Sequence, residues 1–229
     1  FTSINNNKNT DPYQNGGALQ FGHSFTIANI QLIFTGCEFK GNRCLNGNGG
    51  ALAIDINNSV QISNCIFENN EANGNGGSIY VWGKLTNNNQ GGTDTVKMDS
   101  ILIINCQFTR NKGNNGHILY TEKDDLIEVQ LEISSCIFTN NGEDSSKYMI
   151  INNCKDILFE HNIVEYTDIS KSSGLFILYN TDSTINNCTI RNAKTDSGCI
   201  KLSGYTAVNA IIKKCELLNC KSGSATSAI

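Results

Sequence analysis

Proline is nearly missing from this chain, one residue in 229, and tryptophan also occurs once, at Trp82. No apolar run approaches the roughly 18 residues of a membrane-spanning helix, so direct insertion of a helix into a membrane is not expected. Charge is sparse: 17 Lys and Arg stand against 21 Asp and Glu, for a formal charge of −4 and a pI near 5.4. The basic residues are scattered, which removes the clustered electrostatic footprint that nucleic acid or an anionic membrane requires. Ten cysteines are present, yet no Cys-x-x-Cys occurs, and the usual zinc spacing is therefore excluded. The three histidines, His23, His117 and His161, fall at different phases of the pattern described next and cannot converge on one site. Nothing in the residue pattern calls for a metal or a cofactor.

Glycine (21 residues) and asparagine are plentiful, and 39% of the chain is hydrophobic. Both Gly and Asn serve turns and left-handed backbone positions better than helix interiors, so helix should be scarce while a real core remains possible. Internal repetition then decides the reading. The stretches IQLIFTGCEFKGN (ending at Asn42), Val60–Asn70, Ile101–Asn111 and Leu131–Asn141 are versions of one phrase, with weaker copies at 157–167, 183–193 and 210–220. Their anchoring position holds Cys37, Cys65, Cys106, Cys136, Asn162, Cys188 and Cys215. Neighbouring anchors are 26 to 30 residues apart except for one step of 41. An insertion at 84–99 accounts for that step. A second phrase, Asn-Gly-Gly-Ala/Ser-Leu/Ile, alternates with the first at Asn15, Asn48 and Asn75 and degrades thereafter.

A unit of about 26 residues, built of short alternating runs such as Val60/Ile62 and Cys65/Phe67, cannot bury its apolar side alone. Stacked coils at about 4.8 Å per rung can. The expected fold is an all-β parallel β-helix of about seven rungs, a single array over 1–229 with loop insertions near 84–99 and 121–126. Within it Phe39, Phe67, Phe108 and Phe138 should form an internal aromatic stack that fades to Val164, Ile190 and Leu217. Asn42, Asn70, Asn111 and Asn141 should form a buried amide ladder. Residues before the anchor, among them Gly36, Asn64, Asn105, Ser135 and Asn187, suit a corner with positive φ. The column Cys37, Cys65, Cys106, Cys136, Cys188 and Cys215 reads as small buried hydrophobes, leaving Cys44, Cys154, Cys199 and Cys220 as the disulfide candidates.

The pairing of Phe-x-x-Asn (Phe39–Asn42, Phe67–Asn70, Phe108–Asn111, Phe138–Asn141) with Gly-Gly-Ala-Leu (Gly16–Leu19, Gly49–Leu52) resembles the repeats of the chlamydial polymorphic outer membrane proteins. Similar repeats occur in large surface proteins of protists. The resemblance implies a right-handed β-helix on a cell surface, with an adhesive or scaffolding role; an extracellular or surface location is expected, and the missing carboxylate cluster leads to the expectation of no enzymatic activity. Its partners would be glycans or proteins of a host or neighbouring surface, or further copies of itself stacked end to end in a fibre.

The alternative is a carbohydrate-active β-helix enzyme, a polysaccharide lyase or hydrolase. Such enzymes need acid and base groups or a bound cation beside the scissile bond. Asn180-Thr181-Asp182 resembles one short polygalacturonase motif, but the paired aspartates, His-Gly and Arg-Ile-Lys motifs do not follow it in order. Asp182 is instead expected in a loop between Tyr179 and Thr184. Asp94, Asp99, Asp124 and Asp125 read as solvated loop charges. The insertions, with Trp82 at the root of the longer one, are the expected interaction surface. Asn57-Asn58-Ser59 and Asn187-Cys188-Thr189 match the N-glycosylation pattern, so Asn57 and Asn187 are candidate acceptors. Finally, Phe1–Asn5 reads as the Phe-x-x-Asn half of a rung and Ser222–Ile229 as the opening half of another, which suggests a segment of a longer solenoid.

Overall fold

A computed structural model describes residues 2–11, 15–21, 30–55, 58–82, 100–122, 130–142, 148–152, 154, 156–167, 174–179, 182–195, 200–203 and 209–222. Asn57, Cys199, His23 and the insertion at 84–99 lie outside them. Within the described residues the chain is all strand and turn, and every strand pairing is parallel. Three long sheets run the length of the molecule. The anchor sheet holds eight strands, from Thr2–Asn5 through Cys37–Lys40, Ile66–Glu68, Gln107–Thr109, Ile137–Thr139, Ile163–Glu165 and Thr189–Arg191 to Glu216–Leu218. The lead-in sheet holds the strands that precede the anchors, from Ile30–Thr35 to Ala210–Lys213, and the glycine sheet holds those that follow the Gly-Gly phrase, from Leu19–Phe21 to Ile200–Ser203. The chain visits lead-in, anchor and glycine sheets in turn and then begins the next coil, which is a parallel β-helix.

Register follows the repeat. Phe39, Phe67, Phe108, Phe138, Val164, Ile190 and Leu217 are successive partners in the anchor sheet. Because side chains alternate across a strand, one residue in two points into the prism. Val60, Ile62, Ile101, Ile103, Leu131 and Ile133 from the lead-in sheet, and Leu52, Ile54, Ile79 and Val81 from the glycine sheet, fill it at 0–1% exposure. Rings of Phe39, Phe67, Phe108 and Phe138 stack at 4.8, 4.9 and 5.2 Å between centroids, within 12° of parallel. Rung spacing imposes this geometry. The next ring along is Phe159 of the lead-in sheet, 5.9 Å from Phe138, so the aromatic core outlasts the Phe column itself by one rung.

Two of the corners are tight and chemically repetitive. Gly36, Asn64, Asn105, Ser135, His161, Asn187 and Lys214 all adopt left-handed backbone, with φ of 51° to 62°. A second left-handed position, invisible to the repeat reading, follows the anchor strand at Asn6, Gly41, Asn69, Arg110, Asn140, Asn192 and Asn219. Asn tolerates that region best after Gly, which is why it is so common here. The Gly-Gly corner needs both glycines for different reasons. Gly49 has φ of 73°, whereas a Cβ on Gly50 would sit 2.0 Å from the Gly77 carbonyl oxygen of the next rung.

Two expectations are corrected. In the first rung Ile4, not Phe1, pairs with Phe39, and Asn7 takes the ladder position, so the Phe-x-x-Asn register begins three residues later than the sequence suggested. Asp182 opens a strand, Asp182–Asn186, and pairs with Asp156, because the repeat continues through it where a loop was expected.

Candidate functional site

The interior frame comes first, since it fixes the surface. Asn42 donates from its backbone N–H and from Nδ2 to Asn70 Oδ1 at 3.1 and 3.0 Å; Asn70 does the same to Asn111, and Asn111 to Asn141, at 2.9 to 3.0 Å. Each amide also donates to a carbonyl of the preceding rung: Asn70 to Phe39, Asn111 to Phe67, Asn141 to Phe108. All four side chains are fully buried, so their polar groups must be paired inside the protein. Asn141 ends the run. In the following rung Tyr166 is buried instead and donates its hydroxyl to the Asn141 carbonyl at 2.7 Å.

The cysteine column follows the same rule with sulfur. The N–H groups of Cys37, Cys65 and Cys106 each donate to the thiol of the next anchor at 3.4 Å, and the thiols of Cys65, Cys106 and Cys136 donate to backbone carbonyls two residues back at 3.2 to 3.3 Å. Cys188 is buried likewise; Cys37 and Cys215, nearer the two ends of the described column, are half-buried. The bond to Cys136 pushes the Cys106 thiol up to about 12, while the same contact holds Cys136 below the ordinary thiol range. Burial pushes Cys188 up to about 11 and Cys154 up to about 12. The expected disulfides are not formed among the described residues: Cys44, Cys154 and Cys220 are thiols. Cys220 is not off-column either. Its Sγ donates to the Ile190 carbonyl, the role of a ladder amide.

A further ladder went unread. Asn48 donates from its N–H and Nδ2 to Asn15 Oδ1, Asn75 from its N–H to Asn48 Oδ1, and Asn115 from Nδ2 to Asn75 Oδ1, which gives the Asn before each glycine pair its purpose. The signal was the Asn that opens the phrase at Asn15, Asn48, Asn75 and Asn115.

The connections from anchor to glycine strands run from eight to thirteen residues, and those of the fourth corner vary most. The segments between glycine and lead-in strands are 22–29, 56–57, 83–100, 122–129, 153–155, 180–181 and 204–209. They join the same edge of every coil to the same edge of the next. On the glycine-sheet side of this loop edge, outward-facing Tyr80 stacks on half-buried Trp82 at 5.5 Å and neighbours Tyr120 at 6.1 Å. Tyr80 donates its hydroxyl to Glu122 at 2.6 Å, and burial followed by that carboxylate pushes its phenol upward. On the lead-in side lies a groove of about 400 Å³, floored by the outward residues of five rungs. Among these, Asp182 accepts from the Asn209 N–H at 2.8 Å. Asn187, the described glycosylation candidate, is exposed at its left-handed corner away from the loop edge, with its N–H bonded to the Lys213 carbonyl.

The architecture defines a parallel β-helix with one edge of widely varying connections. No family model matches the chain, and no solved structure does. Among curated proteins it is similar to a probable autotransporter, YfaL, of Escherichia coli strain K12, at 29% identity over 199 residues. That match covers 84% of this chain but only 14% of the relative, so the chain spans about one seventh of the relative's length.

Proposed function

We propose that this chain is a surface-exposed β-helical rod whose loop edge makes contact with glycans or proteins of another surface, and that it acts without enzymatic chemistry. The observation that carries the reading is the division of labour among the corners. Three are held by left-handed residues, stacked amides and thiols and vary by at most five residues in length, while the fourth runs from two residues at 56–57 to eighteen at 83–100. Variation concentrated at one edge of a rigid scaffold is the pattern of a binding surface. Distant similarity to an autotransporter supports the surface location.

The test follows from the same comparison. The two-residue link after Asp55 shows how short a closure the coil accepts, so 83–100 and 122–129 can each be cut to that length. On a glycan array and on intact cells, binding by the parent chain should fall at least tenfold in the shortened variant while its circular dichroism stays unchanged. Equal binding by both would remove the proposal.

One observation favours a second reading, a carbohydrate-cleaving enzyme: Asp156 and Asp182 are direct register partners on the groove floor. That reading requires a polysaccharide, polyuronates included, to be cut by the parent chain and left intact by Asp182→Ala. Absence of any cleaved product would discard it.

A further inference from the structure

We propose that the groove beside the loop edge is a binding site for a linear, amine-bearing glycan lying along the helix axis. The inference rests on the surface-binding reading above and names its ligand.

Two columns of outward side chains form the floor. In the first, Leu102, Glu132, Leu158, Thr184 and Ile211 are successive register partners on five adjacent strands. In the second, Gln130, Asp156 and Asp182 are successive partners, with Ser100 and Asn209 at either end. At about 4.8 Å per rung the floor is roughly 19 Å long, the footprint of a short stretch of polymer. Leu102, Leu158 and Ile211 supply apolar pads at alternate rungs, and Ile211 is 55% exposed. Such pads suit the C–H faces of sugar rings, with polar groups interleaved to fix orientation.

Charge selects among glycans. Among the described residues Glu132, Asp156 and Asp182 line the groove, no lysine or arginine does, and none of the three carboxylates has an ion-pair partner. Two are oriented by neutral donors: Asp182 by the Asn209 N–H and amide, Glu132 by the Ser134 hydroxyl at 3.2 Å. A polyanion is repelled by this surface, and an ammonium-bearing polymer is its complement. A basic peptide meets the charge but not the shape of the site. The groove is the face of a sheet whose backbone groups are already paired along the ladder, so the main-chain bonding by which extended peptides usually add to sheets is not on offer.

Calorimetry with short oligomers of glucosamine, N-acetylglucosamine, galacturonic acid and lysine, at low and at physiological salt, tests the assignment. The glucosamine oligomer should bind best and lose affinity with salt. In Asp156→Asn/Asp182→Asn, whose side chains keep their shape, its affinity should drop about tenfold, as removal of two solvent-facing charge contacts implies. The melting temperature of that variant should match the parent. Oligolysine binding as tightly as the glycan would overturn the ligand class. So would tighter binding of the galacturonate or the acetylated oligomer, or an unchanged affinity in the double variant. Should the glucosamine oligomer fail to bind while surface binding still depends on the loops, this inference falls and the surface-binding reading stands. Surface binding that survives loop shortening removes that reading itself.

Discussion

Asn162 stands one rung beyond Cys136 in the same column and does with an amide what its neighbours do with a thiol. Cys136 N–H donates to Asn162 Oδ1 at 2.7 Å, where Cys106 N–H donates to Cys136 Sγ at 3.4 Å. Asn162 Nδ2 reaches the Ile133 carbonyl at 2.8 Å, where Cys136 Sγ reaches that of Ile103 at 3.5 Å. The column therefore selects for a short side chain that both accepts and donates. Cys136→Asn should cost under about 1.5 kcal/mol, since only volume changes slightly. Cys136→Val should cost about 1–3 kcal/mol more than its shape explains, because the buried Cys106 N–H loses its acceptor. Urea midpoints of the two variants check the ranking.

The amide ladder is less forgiving. Asn111 accepts two bonds from Asn70 and donates to Phe67 and Asn141. Asn111→Ala strands the donors of Asn70 and the Phe67 carbonyl in a dry interior, at about 1–3 kcal/mol for each group left bare. Equilibrium unfolding should show a loss of at least about 3 kcal/mol. Asn111→Asp retains the acceptor but loses the donor, and it should be less damaging at acid pH than at neutral pH, where the buried carboxylate is charged.

Corner residues make opposite predictions. Gly50→Ala drives a methyl into the Gly77 carbonyl and should abolish folding or cost several kcal/mol. His161 holds φ of 55° with a bulky side chain that is itself exposed, so His161→Gly should relieve strain of about 1 kcal/mol and raise the thermal midpoint.

How much of this was legible in the sequence depended on whether a residue's role recurs. Phe39, Phe67 and the Asn42–Asn141 series repeat in phase, and a repeating inward position in a solenoid can only stack on itself. Register at Ile4 was misread because Phe1 offered a more familiar residue three places early. Cys220 was set apart from the columns because thiol and amide look unlike on paper, although they satisfy the same backbone groups. The groove escaped notice entirely. Its floor joins Leu102, Glu132, Asp156 and Asp182, residues with no common identity that become neighbours only when coils of unequal length are stacked.

Thiol titration gives a pH dependence with a definite sign. Cys106 and Cys154 are pushed up to about 12 and Cys188 to about 11, against roughly 8.5 for an unfolded thiol. The unfolded chain therefore gives up these protons first. Their contribution is fully present below about pH 8 and is lost as pH rises through 9 to 12. Cys136, held below the ordinary range, offsets part of the loss. Denaturation midpoints across pH 7 to 11 should be level and then fall, and buried thiols should resist a disulfide reagent in native protein while reacting at once in urea.

The central claim is that contact is made along one edge of the rod. Hydroxyl-radical footprinting of the chain, free and bound to the surface it adheres to, tests this most directly. The account predicts protection at Trp82 and Tyr120 beside the loops and at Leu102, Leu158 and Ile211 in the groove, with exposed Ile137 and Ile163 on the anchor sheet unchanged. Protection centred on Ile137 and Ile163, or spread evenly over all three faces, would contradict it.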